Sequence, residues 1–288
     1  LARVGPGSFY GSLWCDYPPG YLYVLWLIGR LGHLLIPAAA PGAWHYILLK
    51  VPAILADIGI GVVLVQWARR HDPAVPARRL ALWWLLNPAV WIISAVWGQV
   101  DSVLMFWILL AMVWLEGPDR RRRSAGAAVY GLAILTKPQA LLFAPLVGIW
   151  LLIRRVPPRE LARLAAITVG VAALLAWPFT GSQSWDWLFR LYRTTADSYS
   201  VTSVNAFNAW ALVGMWRPDS ATCLGVRYLT WGLLMMGACT AWILWWSWRA
   251  PTRTAYVLGG AGLMLSSFLF LTRMHERYAY YALPFLLL

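Results

Sequence analysis

The chain has 288 residues, of which 61% are hydrophobic and 12% charged, and it carries 21 Trp and a net charge of +13. Soluble domains hold about 25% charged residues, so this composition excludes an ordinary soluble protein and indicates several membrane spans. The arginines stand in short loops between apolar runs, which assigns the excess positive charge to anionic lipid headgroups and not to nucleic acid.

In chain order, the first notable stretch is Cys15-Asp16-Tyr17-Pro18-Pro19-Gly20-Tyr21. Consecutive prolines fix φ and cannot continue a helix interior, so Asp16 is expected on a rigid turn ahead of an apolar run. Its carboxylate serves either chemistry at a membrane edge or the capping of the helix that begins near Pro19. Apolar segments follow at 20–38, 45–67, 80–96, 102–116, 125–136, 139–153, 160–178, 228–248, 254–271 and from 278 onward. Between them lie four basic clusters: Arg69, Arg70, Arg78 and Arg79; Arg120 to Arg123; Arg154, Arg155, Arg159 and Arg163; Arg249 and Arg253. The positive-inside rule places these in the cytoplasm. If each segment from 45 onward crosses once, the clusters share that side. Gln99, Asp101, Lys137, the 179–227 loop and Arg273 to Arg277 then share the other, and the motif around Asp16 assigns residues 1–19 to that same face. Segment 20–38 carries Arg30 and His33 and is expected to lie in the outer interface without crossing.

The expected fold is therefore an all-α, polytopic transmembrane helical bundle forming one domain over 1–288. It comprises a first outer loop with an interfacial helix at 1–44, spans within 45–178, a long outer loop at 179–227 and further spans within 228–288. The chain opens on Leu1 and stops inside an apolar run at Leu288, and so reads as truncated at both ends.

Charges within apolar segments normally face a cavity or one another. Lys50 and Asp57 stand seven apart and share a helical face, either for packing or for a ligand. Lys137-Pro138 breaks the 125–153 stretch into a hairpin whose tip carries an ammonium group, suited to an anionic substrate or to interfacial snorkelling. Asn205 and Asn208, three apart beside aromatic residues, would share a face on one helical turn, suiting sugar hydroxyls or a helix cap. Arg273-Met274-His275-Glu276-Arg277 is a concentrated charge cluster between two apolar spans. Its Arg forks match phosphate oxygens, and Glu276 offers an internal Arg–Glu pair instead. Cys15, Cys223 and Cys239 have no metal spacing, and no His or Cys cluster indicates a metal or cofactor. Asp16 and Asp101 could chelate one only if they converge.

Asp16-Tyr17-Pro18-Pro19, Asp57, Gly98-Gln99-Val100-Asp101-Ser102, Thr136-Lys137-Pro138, Asn205-Ala206-Phe207-Asn208 and His275-Glu276-Arg277-Tyr278 together resemble the polytopic C-type glycosyltransferases (GT-C). They most resemble the branch of dolichyl-phosphate-glucose-dependent glucosyltransferases of the N-glycan pathway and their bacterial relatives. The resemblance implies a metal-independent, inverting hexosyltransferase that uses a polyprenyl-phosphate sugar and a glycan, lipid or protein acceptor. It acts on the non-cytoplasmic face, and the Arg- and Trp-rich composition favours a bacterial plasma membrane. It places Asp16 in the loop of the catalytic acid and Arg273, His275 and Arg277, with Lys137, at the donor phosphate. Tyr17, Asp57, Gln99, Asp101, Asn205, Asn208 and Glu276 fall at the substrate. In that branch the base stands earlier in the first outer loop, so Asp16 is either the base or a substrate-binding residue with the base upstream of Leu1. A transporter or lipid flippase is the alternative, and it would call for inverted repeats and polar groups near the midplane.

Overall fold

The computed structural model describes residues 1, 4–35, 43–71, 76–181 and 183–288. It is 75% helical with little sheet, an all-α bundle, and the described residues fall into two compact units. Unit 1 comprises Leu1–Leu141 and Pro157–Arg193; unit 2 comprises Leu142–Val156 and Thr194–Leu288. Among the described residues three helices are long and apolar enough to cross a membrane: Tyr46–His71, Pro158–Phe179 and Tyr228–Arg249. A fourth span results if Ala77–Leu85 and Pro88–Trp97, bent by 47°, count as one.

That bend is written in the sequence. Asn87 accepts a hydrogen bond from the Ala89 backbone N at 2.9 Å, and Pro88 sits at the start of the following helix, where its missing N–H is no loss. The single apolar segment expected at 80–96 is thus two helices. The second is underwound into a π-helix over Trp91–Trp97 and ends at Gly98, whose φ of +79° suits glycine. There is a further reason for glycine at 98, because a Cβ would come within 3.1 Å of Lys50 Cγ. Lys50 thereby marks where the Ala43–His71 helix passes the Gly98-Gln99 turn.

In unit 1 the Asp101–Leu115 helix and the Arg120–Thr136 helix run antiparallel through a short turn at 116–119. Each contributes many fully buried small and apolar residues, Ala111, Leu104 and Met105 on one and Ala127, Ala133 and Leu135 on the other. Gly126 lets the two backbones approach, since a Cβ there would lie 2.8 Å from Leu115 N. Asp119 caps the second helix by accepting from Arg122 N at 2.8 Å. The helix then carries Arg120 to Arg123 at its start and ends at Thr136. Its 17 residues rise about 25 Å, so the basic cluster and Lys137 lie at opposite ends. The Pro158–Ala176 helix starts beside the same cluster, where Arg163 donates to Ser124 at 2.8 Å and Arg120 pairs with Glu160 at 3.8 Å.

The Pro19–Leu35 helix, 17 residues long, is not among those long and apolar enough to cross. Its start is wedged against the far end of the Arg120–Thr136 helix. Leu22 packs with Phe9, Leu135, Ala176, Phe179 and Trp187, and Tyr23 donates to Leu175 O at 2.8 Å. Gly20 makes this possible, because a Cβ would fall 2.7 Å from the carbonyl carbon and oxygen of Leu135. Replacing Gly20 with Val should therefore lower stability by about 1–3 kcal/mol, the usual cost of overpacking, as read from thermal unfolding in detergent micelles. An unchanged transition would show that the two backbones do not meet.

Unit 2 is built on the antiparallel helices Tyr228–Arg249 and Arg253–Phe270, joined at Ala250-Pro251-Thr252. Thr252 caps the second by accepting from Ala255 N at 3.0 Å. Trp150 stacks on Tyr256 with ring centroids 4.6 Å apart, and Phe143 on Phe285 at 5.4 Å. Arg249 and Arg253 mark one end of this pair, and the segment from Thr272 to Arg277 lies at the other.

Candidate active site

Unit 1 brings Asp101, Lys137 and the Asp16-Tyr17 turn together at the end of its helices away from Arg120 to Arg123. Asp101 opens the Asp101–Leu115 helix, where the helix dipole favours a carboxylate, and it is fully buried. Lys137 follows the last residue of the Arg120–Thr136 helix. Because Pro138 disfavours helical geometry in the residue before it, Lys137 adopts an extended backbone at φ −156° and ψ 144°, and its side chain leaves the helix direction. The ammonium meets Asp101 Oδ1 at 2.5 Å, and both side chains are buried, at 6% and 0% exposure. The exposed hairpin tip expected from the sequence is corrected: Lys137 turns inward and forms a buried ion pair. The break at Lys137-Pro138 itself is present, followed by a 3-10 turn over Pro138–Phe143.

Over this pair lies the Asp16-Tyr17 turn. The Tyr17 ring centroid is 5.9 Å from Lys137 Nζ, within reach of a cation–π contact. The turn is fixed from behind, since Tyr10 donates its hydroxyl to Tyr17 O at 2.6 Å. Burial, helped by Cys15, raises the Tyr10 pKa and keeps that donor protonated. Pro18 and Pro19 are buried while Asp16 is half-buried. The residue flanking the first helical position is Pro18, so Asp16 stands two residues ahead of the cap position. Gln99 is half-buried in the turn before Asp101, and its backbone N closes the preceding helix on Ile93 O at 2.9 Å. Ser94 and Ser102, both buried, share a hydrogen bond of 2.6 Å across the same turn. Asp57 is buried, 5% exposed, in the Ala43–His71 helix, and its backbone carbonyl accepts from Trp84 Nε1 at 3.0 Å.

Unit 2 holds the second group. Ser203–Val204 pairs in parallel with Met274–His275, and Asn205 bridges to His275. The His275 ring meets Tyr199 at 5.0 Å and Tyr278 at 5.2 Å, edge to face. The Arg277 guanidinium lies 5.2 Å from the centre of the Tyr278 ring and donates to Glu276 Oε1 at 3.4 Å, so the internal Arg–Glu pair is formed, at long range. Arg273 is arranged differently. Its Nε donates to Asp219 Oδ2 at 2.6 Å, and its Nη1 to Asp197 Oδ1 at 2.8 Å and Ala196 O at 2.7 Å. Burial alone would lower its pKa, but the bonds to Asp219 and Asp197 outweigh that and raise it. With a backbone φ of +67°, Arg273 works as a clamp between the 194–227 segment and the end of the Arg253–Phe270 helix.

The shared helical turn expected for Asn205 and Asn208 is not formed. Asn205 is exposed with φ +59°, whereas Asn208 is buried and caps the 3-10 turn Ala209–Leu212 by accepting from Trp210 N at 3.2 Å. The Asn208 amide nitrogen donates to Phe268 O and Leu271 O, which gives it the capping role. The sequence reading missed Asp219, Asp197 and Tyr199, whose partners lie more than 50 residues away. The only local sign was the presence of Asp186, Asp197 and Asp219 in an outer loop that also carries Arg190, Arg193, Arg217 and Arg227. Among the described residues no group of three or more His, Cys, Asp or Glu could hold a metal ion.

The buried pair of unit 1 makes a testable demand. Lys137→Met removes the cation paired with the Asp101 carboxylate and Asp101→Leu the anion paired with the Lys137 ammonium, so each alone should cost about 3–5 kcal/mol, while the double replacement should recover most of that loss. A double-mutant cycle on thermal stability measures it, and strictly additive losses would contradict the pairing.

Residues 14–272 match the model of glycosyltransferase family 87. A 104-residue stretch is 35% identical to GPI mannosyltransferase 1 of Kluyveromyces lactis, covering 36% of this chain and 25% of that protein. The chain thus spans a quarter of the length of that relative. With the family match running from Trp14, through the Asp16-Tyr17 turn and the Lys137–Asp101 pair, to Thr272, this helical membrane protein belongs to glycosyltransferase family 87.

Proposed function

We propose that the protein transfers a hexose, with inversion, from a polyprenyl-phosphate-sugar donor to a glycan, lipid or protein acceptor on the non-cytoplasmic face of a bacterial plasma membrane. The observation that carries this reading is the seating of the Asp16-Tyr17 turn over the buried Lys137–Asp101 pair. It puts a carboxylate on a rigid support at the end of the unit 1 helices away from Arg120 to Arg123. Family membership supplies the reaction class, and the long apolar helices suit a polyprenyl carrier.

In this reading Asp16 accepts the proton of the acceptor hydroxyl as its oxygen forms a bond to the anomeric carbon. The bond from that carbon to the carrier phosphate breaks, and the departing phosphate takes the electron pair. Arg277 and His275, two donors on one short segment, hold that phosphate and stabilise its growing charge. Arg273, occupied by two carboxylates, holds that segment in place. Lys137, paired with Asp101, sets the floor under Tyr17, and Asp57 and Gln99 in unit 1 and Glu276 in unit 2 are assigned to the substrate. Mannose, the sugar named in the yeast relative, and glucose, that of the branch the motifs resemble, are the hexoses to assay first.

Two measurements test the assignment, both on purified protein with polyprenyl-phosphate-hexose donors. Asp16→Asn should leave the fold intact and lower turnover by roughly 10²–10⁴, the span of general acid–base contributions. A small loss confined to acceptor affinity would make Asp16 a positioning residue. Arg277→Ala should cost about 1.5–3 kcal/mol in kcat/KM for the donor, the range of a hydrogen bond to a charged group. Unchanged donor kinetics in a folded variant would remove Arg277 from the phosphate.

A further inference from the structure

We propose that Trp216 and Asn205 form a pyranose-binding subsite in unit 2, one that the sequence pattern placed on Asn205 and Asn208. The inference rests on the glycosyl-transfer reading and names a contact through which the protein holds a sugar ring. Trp216 N donates to Ser203 O at 3.1 Å and Thr202 N to Arg217 O at 2.7 Å, so the Trp216 segment runs along one edge of the 202–205 segment. Met274–His275 runs along the other. Asn205 lies between them, bridged to His275 through the backbone and joined to Trp216 by the side chain, with Trp216 Nε1 donating to Asn205 Oδ1 at 2.8 Å. The Trp–Asn pair thus neighbours the segment proposed to hold the donor phosphate.

Three features set the pair apart from an incidental surface contact. Both residues occupy the left-handed region, each at φ +59°, which a side chain as bulky as Trp rarely adopts. The surrounding backbone bonds hold them there, the pattern of strain kept at a working position. Trp216 is 52% exposed and Asn205 is exposed, so the indole has accessible surface beside an accessible amide. An indole N–H can only donate, so the bond fixes the amide orientation: Oδ1 is occupied, and Nδ2 has no partner among the described residues. An aromatic face for the C–H side of a ring, next to an oriented N–H donor for a hydroxyl, is the chemistry that recognises a pyranose. Asn208 cannot share this work, because both ends of its amide are engaged in the fold.

The test uses the full chain in lipid nanodiscs with methyl α-D-mannopyranoside and methyl α-D-glucopyranoside as probes, read by saturation-transfer NMR. Trp216→Leu should weaken binding of at least one probe by about two- to tenfold, the scale of an aromatic contact, while Trp216→Phe keeps most of it. Asn205→Gly tolerates the left-handed backbone, removes the amide and should also weaken binding, and it carries the test should Trp216→Leu fail to fold. Equal binding by wild type, Trp216→Leu and Asn205→Gly, or no binding of either sugar to wild type, overturns the subsite. Unchanged sugar binding with lost quenching by brominated lipid in Trp216→Leu overturns it in favour of a membrane-interface anchor. Sugar binding that depends on Trp216, in a protein that transfers no hexose from polyprenyl-phosphate donors, leaves the subsite standing and sinks the donor assignment alone.

Discussion

A buried ammonium and a buried carboxylate 2.5 Å apart impose the strictest condition on unit 1. Removing either charge from water costs several kcal/mol, and only close pairing offsets that cost. The helices Asp101–Leu115 and Arg120–Thr136 must therefore end level with one another. The turn at 116–119 must be short, and the chain must leave the helix at Lys137 so that the side chain can reach across. Pro138 enforces the last of these and Gly126 the close approach of the two backbones. Gly20 then lets the Pro19–Leu35 helix press against Leu135, which brings Tyr17 over the ammonium. The first loop is placed by the same pair that fixes the register of the two helices.

Much of this was legible in the sequence because its causes are local. The Pro18-Pro19 pair and the arginine runs at helix ends act within a few residues, whereas the caps at Asn87 and Asp119, equally local, were not read, and the close approach at Gly20 depends on Leu135 far along the chain. The break at Lys137-Pro138 is one such feature, and the bundle class follows from composition. The direction of the Lys137 side chain is not local. It depends on Asp101, 36 residues earlier, and an ammonium at a hairpin tip looks the same in sequence whether it faces a ligand or a buried carboxylate.

Arg273 shows the same limit in unit 2. Within Arg273 to Arg277, alternating charges suggest a single phosphate-binding cluster, yet the three basic residues diverge. Arg273 is held by Asp219 and Asp197, 54 and 76 residues earlier, His275 packs between Tyr199 and Tyr278, and Arg277 lies against Tyr278. The positive φ at Arg273 sends its side chain to those partners, and nothing in the identity of a single Arg signals a left-handed backbone. The clamp keeps the Met274–His275 strand against Ser203–Val204, which leaves His275 and Arg277 on a segment with little freedom to reorganise. In the proposed donor-phosphate role, fixed donors act better on a developing charge than mobile ones.

Asn205 and Asn208 carry the argument to a single functional group. The two amides are identical and three residues apart, and an argument from spacing treats them as a pair. The backbone separates them: Asn208 enters a 3-10 turn as its cap, with carbonyl acceptors of the Arg253–Phe270 helix end within reach of its nitrogen. A buried amide must satisfy both of its ends, so that environment commits it to the fold. Asn205, in the left-handed region at the exposed end of a strand, faces no such demand, and one indole N–H suffices to orient it. An exposed amide held by a neutral donor keeps its remaining N–H groups available at little cost in conformational entropy. Chemistry that a sequence assigns to a residue type is thus assigned in the folded chain by what each copy must satisfy first.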